Sequence, residues 1–325
     1  MEQLRLLLCR EGRLSLAEPS SPGDALESIK GAERAWLDLT IEEASEAGWL
    51  LKLGVPDTAL SRALDGRPPN FSFTEGWCLL KLPASTEARI LIHRGLSLIF
   101  NERLAVSLHP KDVRQPVEEM EEASPRFTSN AAYVAYQLAD RVLDDFDDVI
   151  ERLDAELARL EDEVVEGSGE KELLRKILGR KRRLLMLSRG LWTLKDAVHS
   201  LRRASPPFID DELDSRLTQL CEEADRQIEM VETYRIMASD VINMYATTLS
   251  TKLNLSVKDL TVAMLYLTVI ATVIGFPNTV ATIFGVPTLA EAIETHWILM
   301  LLVGSAVVPI LWLKSFWNVY KQKSY

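Results

Sequence analysis

Short hydrophobic runs recur over residues 1–116, and this pattern predicts β-strands. The five runs that are apolar or alternating and are bounded by turn residues are LRLLLCR, RAWLDLT, WCLLKLP, ARILIHRGLSLIF and RLAVSLH. Between them, IEEASEAGWLLKLG and PDTALSRALDG have helical spacing, and Gly66 ends the second. Strands that alternate with helices in this way predict an α/β domain with a mixed sheet over residues 1–116.

From residue 117 to residue 256 the hydrophobic period lengthens to that of helices. The apolar positions of the first helix lie near heptad spacing, at Tyr133, Tyr136, Val142, Phe146, Ile150, Leu153, Leu157 and Leu160. The break at residues 167–169 is short, so the helix that follows it should run antiparallel. The first helix is acidic, and the second is basic at residues 180–183. We interpret these charges as complementary faces of a hairpin, with a phosphate or lipid site as the alternative.

Residues 208–274 contain neither glycine nor proline. This run predicts one helix from Asp211 to Phe284, about 110 Å long at about 1.5 Å per residue. A helix of that length has to pack along its side against other helices. We therefore expect a stalk that continues into the apolar segment after residue 256.

Two apolar segments near the C-terminus predict an α+β membrane protein with two transmembrane helices, over residues 257–285 and 296–317. The first has no charge from Leu260 to Phe284, which is long enough to cross a bilayer core of about 30 Å. The loop at residues 286–295 carries Glu291 and Glu294 and no basic residue.

Basic residues flank the two segments on one side only. Lys252 and Lys258 precede the uncharged part of the first segment, and the tail over residues 318–325 contains Lys321 and Lys323. By the positive-inside rule, both termini are cytoplasmic in a multi-pass protein of the cell membrane, and the acidic loop is outside.

The first apolar segment is more polar than contact with lipid alone requires. Its polar and small residues recur at intervals of three, four or seven, at Thr261, Thr268, Thr272, Gly275, Asn278 and Thr282. The carboxamide of Asn278 is costly in hydrocarbon unless it has a partner or water. Pro277 removes a backbone donor and predicts a helix kink. A pore lined by several copies of this helix explains the pattern, and Asn278 bonded to neighbouring helices is the alternative.

Composition narrows the function further. The formal net charge of −11 disfavours nucleic acid as a partner. The three scattered cysteines are typical of a reduced, cytosolic body. The sequence shows no nucleophile, phosphate-loop or dinucleotide motif, so we predict no enzymatic activity and no cofactor. The isolated histidines, and the acidic clusters at residues 144–148 and 210–212, are more typical of solvated or packed side chains than of metal ligands.

Taken together, these elements resemble the CorA superfamily of divalent-cation channels and transporters, which includes the ZntB zinc transporters. The resemblance covers nearly the whole chain. It rests on the WLDL segment, the strand NERLAVSLH, the hairpin helix LLRKILGRKRRLLMLSRGLWTLKDAV, the ETYR segment of the long helix, and the two C-terminal spans with a basic tail. The resemblance implies a homopentamer in which the first span lines the pore. It also implies a divalent cation such as Mg²⁺, or zinc, cobalt or nickel, as substrate and as a regulator bound to the cytoplasmic body.

One departure from the family concerns its Gly-Met-Asn signature, or Gly-x-Asn in the zinc branch. The aligned residues are Gly285, Val286 and Pro287, so the asparagine is missing. The pore positions that the resemblance implies are Thr261, Met264, Leu267 or Thr268, Ala271, Gly275 and Asn278, and Thr282 lies between Asn278 and the mouth. We expect Asn278 to replace the missing polar ring in a cation channel. The alternative is a non-conducting membrane sensor or scaffold that lost the selectivity motif.

Overall fold

The computed structural model describes residues 4–41, 44–86, 90–121, 125–166, 171–285 and 294–323. The chain divides into two compact units, Met1–Tyr245 and Ala246–Tyr325. Three of the residues singled out in the sequence, Val286 and Pro287 of the signature position and Glu291 of the loop, lie outside the described residues.

A seven-stranded mixed sheet forms the centre of the first unit, with the strand order β2-β1-β3-β7-β6-β5-β4. The strands are β1 (Leu4–Arg10), β2 (Arg13–Ala17), β3 (Arg34–Thr40), β4 (Phe71–Thr74), β5 (Trp77–Ser85), β6 (Ile90–Phe100) and β7 (Leu104–His109). The neighbours β3 and β7 are parallel, and every other pair is antiparallel. The five predicted strands and the mixed sheet are therefore confirmed.

The sequence pattern missed the two edge strands, β2 and β4. Each is joined to its neighbour by a two-residue turn in which both φ angles are positive, at Glu11–Gly12 and Glu75–Gly76. Turns of this kind match the twist of antiparallel hairpins, and the glycine adopts a positive φ without a steric cost. Both strands are short, and neither contains a buried residue: β2 is mostly exposed and β4 is mostly half-buried, which weakens their hydrophobic signal.

One face of the sheet is covered by α1 (Pro22–Lys30), a 3₁₀ helix (Ala44–Leu53) and α2 (Asp57–Leu64). Their apolar side chains share a core with the sheet residues Leu37 and Val106. The side chain of Ser21 accepts a hydrogen bond from the backbone of Asp24 and so caps α1. We predicted an ordinary helix around residues 44–53. The structure has the tighter 3₁₀ form there.

The other face of the sheet packs against helices. These are α3 (Gln115–Glu121), a 3₁₀ turn (Pro125–Thr128), α4 (Tyr133–Val165), α5 (Lys171–Ala204) and the first part of α6 (Asp211–Phe284). Their shared core includes Phe100 of the sheet and Phe146 of α4. The ring of Phe146 fits against Gly190 of α5, where an added Cβ would lie 3.1 Å from the ring. The absence of a side chain at Gly190 therefore allows α4 and α5 to approach closely.

The helices α4 and α5 form an antiparallel hairpin held by ion pairs between their acidic and basic residues. Glu163 lies 3.5 Å from Lys176, and Glu156 lies 2.5 Å from Arg180. The partner numbers rise on one helix as they fall on the other, as an antiparallel pair requires. The interpretation of the charges as complementary hairpin faces is confirmed for these residues.

The predicted helix from Asp211 to Phe284 is confirmed as the single 74-residue helix α6. Asp210 stands just before it and accepts a hydrogen bond of 2.7 Å from the backbone N–H of Leu213. This bond satisfies one of the free donors at the start of the helix. The last helix, α7, runs from Thr295 to Lys323 and contains Pro309.

Candidate functional site

Among the described residues, two helices are long and apolar enough to cross a membrane, the second part of α6 and the first part of α7. The uncharged part of α6, from Leu260 to Phe284, is about 37 Å long at about 1.5 Å per residue. That length exceeds the bilayer core of about 30 Å. In α7, Trp297 and Trp312 lie near the two ends of the uncharged stretch, where aromatic residues suit membrane interfaces.

One side of the α6 span borders a cavity that it shares with α7. The cavity has a volume of about 830 Å³, and its lining is almost entirely apolar. From α6 it is lined by Thr272, Phe276 and Val280. Half-buried residues of α6 lie on the same side, at Val262, Leu265, Val269, Val273, Pro277 and Phe284. This face of α6 is therefore the face directed to α7.

The predicted pore residues lie on the opposite side of α6. At 3.6 residues per turn, the centre of this set is roughly 150° around the helix from the α7-facing side. All of them are exposed except Gly275, which is half-buried: Thr261, Met264, Leu267, Thr268, Ala271, Asn278 and Thr282. None of them lines the cavity shared with α7. Thr272 belongs to the polar pattern in the sequence, but the structure places it in that cavity.

The threonine hydroxyls of this face are bonded to their own helix. Thr261 donates to the carbonyl of Val257 at 2.8 Å, and Thr282 donates to that of Asn278 at 2.7 Å. Thr268 donates in the same way to Met264 at 2.9 Å. Each hydroxyl therefore satisfies its hydrogen within the helix, and its oxygen remains free to accept.

Asn278 differs from the threonines because its carboxamide has no hydrogen-bond partner among the described residues. The neighbouring Pro277 carries no N–H, so the carbonyl of Val273 lacks its usual donor. The helix nevertheless continues through Pro277 to Phe284. The uncommitted amide of Asn278 and the uncommitted carbonyl of Val273 are thus five residues apart, or about one and a half helical turns.

Gly275 leaves open space on the same face, because an added Cβ would meet nothing within 4 Å. At the end of the helix, Gly285 donates its backbone N–H to the carbonyl of Thr282 at 3.2 Å. Glu294 is exposed and lies 3.2 Å from Nδ1 of His296. In the described residues this contact gives His296 a carboxylate partner.

Sequence reasoning missed a buried polar network in the first unit. The indole of Trp36 donates to the hydroxyl of Ser107 at 3.0 Å, and that hydroxyl donates to Oδ1 of Asp38 at 2.5 Å. Nε2 of His109 lies 3.1 Å from Oδ2 of Asp38. The parallel pairing of β3 with β7 aligns these residues, which are about seventy positions apart in sequence. The WLDL segment supplies both the tryptophan and the aspartate.

One residue of each acidic cluster, Asp145 and Asp210, has a structural partner. Asp145 accepts a hydrogen bond from Gln115 at 2.5 Å, and Arg141 lies 3.5 Å from it. Burial raises the pKa of Asp145, although its bond to Gln115 and the charge of Arg141 oppose the rise. Asp210 caps α6, as described above. Among the described residues, no group of three or more histidine, cysteine, aspartate or glutamate side chains is placed to hold a metal ion.

Comparison with known proteins identifies a family and several relatives that share this architecture. A family model described as CorA-like Mg2+ transporter protein matches residues 31–315. The cobalt/magnesium transport protein CorA of Thermotoga maritima is 29% identical over 203 residues, which cover 62% of this chain and 54% of that protein. The chain thus matches about half the length of that relative.

Two further relatives extend the match. The cobalt/magnesium transport protein CorA of Methanocaldococcus jannaschii is 21% identical over 316 residues, covering 93% of this chain and 96% of that one. The complete structure of the magnesium transporter from this organism superposes with a TM-score of 0.72 at 18% identity, over 95% of this chain and 96% of that one. The ZntB cytoplasmic domain from Vibrio parahaemolyticus gives a TM-score of 0.62 at 12% identity, over 77% of this chain and 100% of that one.

At these identities the two structures establish a shared fold. The α/β domain, the hairpin, the long helix and the two apolar segments follow the order that the resemblance to CorA and ZntB predicted. Because the family model matches most of its length, the chain belongs to the CorA-like Mg2+ transporter family.

Proposed function

We propose that the protein transports divalent metal cations across a membrane, along a path lined by the exposed face of α6 in a ring of copies. Family membership and the two apolar helices support membrane transport. The curated relatives are described as cobalt/magnesium transporters, so Mg²⁺ and Co²⁺ are the first ions to consider. Zinc and nickel are the further candidates, because the resemblance of the sequence to the CorA and ZntB proteins implies them.

The observation that supports this proposal best is the division of α6 into two faces. The α7-facing side is apolar and half-buried, whereas the opposite side exposes Thr261, Thr268, Asn278 and Thr282. The hydroxyl hydrogens of the three threonines are bonded within the helix, but the carboxamide of Asn278, if directed at lipid, would lose its hydration without gaining a partner. Copies of α6 that face one another across a water-filled path would keep these groups hydrated.

In this proposal the copies form a homopentamer, and both termini lie in the cytoplasm. The lysines of the tail and of the stretch before the first span support that orientation. No chemical step is required, because the ion concentration gradient and the membrane potential supply the driving force.

Asn278 takes the place of the missing signature asparagine. A ring of carboxamides can hydrogen-bond to the water shell of a strongly hydrated cation. In the region where the family carries its asparagine, this chain has Pro287, which has no side-chain polar group. We therefore place the selective ring further along the path, at Asn278. The sensor or scaffold alternative depends on Pro287 alone, and we do not propose it.

The test is ion flux into proteoliposomes that contain the full-length protein, with Mg²⁺, Co²⁺, Ni²⁺ and Zn²⁺ supplied separately. We expect flux of at least one ion above that of empty vesicles. Asn278→Ala should change the ratio of the fluxes, since it removes the proposed ring. Ile270→Ala is the matched control, because Ile270 is an exposed residue of the same helix outside the predicted pore face. Flux equal to that of empty vesicles for every ion would contradict the proposal.

A further inference from the structure

A cleft in the first unit is lined by polar and charged residues alone. It lies between the end of β5, the loop that leads into α3, the start of α3 and one side of α4. Its volume is about 470 Å³, within the range of about 300–1,000 Å³ that small-molecule sites occupy. The lining contains four basic and four acidic residues, so their formal charges cancel. The groups that have no partner inside the protein therefore decide what the cleft can bind.

Several of these groups are committed to one another. Arg141 donates a hydrogen bond to Glu118 at 2.6 Å and lies 3.5 Å from Asp145. The side-chain amide of Gln115 donates to the backbone carbonyl of Ser85 at 2.8 Å and to Asp145 at 2.5 Å. These two bonds hold the amide of Gln115 between β5 and α4.

The amide oxygen of Gln115 is left without a donor. Gln115 is only 3% exposed, and its Oε1 has no hydrogen-bond partner among the described residues. The amide cannot be turned around to satisfy the oxygen, because Nε2 already faces two acceptors. A buried acceptor in this state is unfavourable, so a ligand that brings an N–H or O–H to it would be stabilised.

The surroundings of this oxygen favour a donor that is positively charged. Asp145 and Asp148 lie about one helical turn apart on the side of α4 that borders the cleft. Burial raises the pKa of Asp145, and the negative charges of Glu118 and Asp148 add to the rise, although Gln115 and Arg141 oppose it. The carboxylate of Asp148 forms no ion pair with any described residue. An ammonium group would satisfy Oε1 of Gln115 and offset this negative charge together.

Three cations of the lining also lack a counter-charge. Lys111 and Arg114 belong to the loop before α3, and Arg152 lies one turn beyond Asp148 on α4. Arg152 donates to the backbone carbonyl of Asp148 at 3.1 Å, but none of the three cations forms an ion pair with a residue that the structure describes. Asp112, the remaining acidic residue, has an interaction of its own. Three unpaired cations against the single carboxylate of Asp148 favour a ligand that also carries an anionic group.

We propose that this cleft binds a small zwitterion of the α-amino acid class. Its ammonium group donates to Oε1 of Gln115 and lies beside Asp148, and its carboxylate lies among Lys111, Arg114 and Arg152. A guanidinium can bind a carboxylate through two parallel hydrogen bonds, which suits the two arginines to this role. A phosphate would satisfy the cations, but it would also bring negative charge towards Asp148.

This inference goes beyond the proposed function. All residues that line the cleft belong to the first unit. The binding of a zwitterion there requires neither a ring of copies nor ion flux. It gives the first unit a small-molecule ligand in addition to any cation that the protein transports.

The first experiment is thermal melting of the full-length protein in detergent, with each standard L-amino acid added separately at one concentration. A ligand that binds only the folded state raises the melting temperature. We expect at least one amino acid to do so. Its deaminated and decarboxylated analogues each keep only one of the two charged groups. Isothermal titration calorimetry should give each analogue a dissociation constant at least tenfold larger than that of the amino acid.

The second experiment tests the residues at the two ends of the ligand. Arg114→Ala and Asp148→Asn should each raise the dissociation constant of the amino acid about threefold or more, since an exposed charge contact is lost. Asp148→Asn should leave the binding of the deaminated analogue unchanged, and Arg114→Ala should leave that of the decarboxylated analogue unchanged. The matched controls are Arg159→Ala and Glu151→Gln, because both residues are exposed on α4 and neither lines the cleft.

Each contrary outcome has a definite meaning. If no amino acid raises the melting temperature, the proposal is wrong. If the deaminated analogue binds as tightly as the amino acid, Gln115 and Asp148 receive no ammonium group and the zwitterion is excluded. If inorganic phosphate binds as tightly as the best amino acid and loses affinity in Arg114→Ala, the cleft is an anion site instead.

Ion flux of the same preparation in proteoliposomes separates this inference from the proposed function. A protein that binds the amino acid but gives no flux supports the zwitterion site and contradicts the proposed transport. A protein that gives flux but binds no amino acid contradicts the zwitterion site and leaves the transport intact.

Discussion

Nε2 of His109 lies 3.1 Å from Oδ2 of Asp38, and each side chain is 2% exposed. Nδ1 of the same imidazole lies 2.8 Å from the backbone carbonyl of Pro110. A carboxylate and a carbonyl both accept hydrogen bonds, so the ring satisfies both contacts when it carries two hydrogens. Both hydrogen bonds are therefore satisfied when the imidazole of His109 is protonated and faces the carboxylate of Asp38. This pair lies within the core of the first unit.

The first prediction concerns pH. Burial acts to lower the pKa of His109, but its bond to Asp38, the charge of Asp38 and the nearby backbone groups raise it above the usual value. Because the folded pKa exceeds the unfolded one, the stabilisation is complete below about pH 6.5 and is lost as pH rises through the folded value. Thermal melting of the full-length protein in detergent should show this decline, and His109→Gln should flatten it. A decline of equal size in His109→Gln would assign it to other groups.

The second prediction separates the two partners. Asp38→Ala should reduce the free energy of unfolding by about 3–5 kcal/mol, because it leaves a buried imidazole without its counter-charge. Adding His109→Gln to Asp38→Ala should recover part of that loss, since no buried charge then remains. Chemical denaturation of the single and double variants measures the coupling. Strictly additive losses would show that the two side chains do not act as a pair.

The third prediction concerns Gly95 in β6. A Cβ at this position would lie 2.5 Å from the backbone carbonyl oxygen of Leu82, at the irregular register between β5 and β6. Gly95→Ala should therefore destabilise the first unit by about 1–3 kcal/mol, since the backbone has to shift. Gly179→Ala in α5 is the control, because its Cβ would meet nothing within 4 Å. Denaturant midpoints should fall for the first variant and hold or rise for the second.

The fourth prediction concerns Gly275 in the α6 span. Because a Cβ there meets no atom of its own chain, Gly275→Val should leave the folding of one copy nearly unchanged. In a ring it would narrow the proposed path and reduce ion flux by tenfold or more, with little change in thermal stability. Gly304→Val in α7 is the matched control, since Gly304 also has no neighbour within 4 Å of an added Cβ and lines the cavity away from the predicted pore face. Equal flux through wild type and Gly275→Val would remove Gly275 from the path.

Much of the fold was predictable because local signals agree with the final structure. The absence of glycine and proline from residues 208–274 predicted most of α6, and the helix continues past Gly275 and Pro277 to Phe284. The central strands were predictable because they are buried on both faces and are therefore continuously apolar. The edge strands β2 and β4 were missed, since solvent on one side dilutes that signal.

The candidate site was predictable only in part. Helical spacing grouped Asn278 with the threonines, but it did not reveal that this face lies opposite α7. The pairing of Asp38 with His109 had no signal in the sequence, because the parallel pairing of β3 and β7 joins positions 71 residues apart. Local patterns cannot encode a contact that depends on strand order.

The hydrogen bonds of the α6 threonine hydroxyls have a consequence for the proposed ion path. Thr261, Thr268 and Thr282 each donate their hydrogen to a carbonyl of their own helix. They present only oxygen lone pairs to anything outside. The water molecules around a cation direct hydrogens outward and can donate them to these threonine oxygens. The water molecules around an anion direct oxygens outward, and no threonine hydrogen is available to bond to them. In the proposed path, the threonine oxygens would therefore favour a hydrated cation over a hydrated anion without carrying a formal charge.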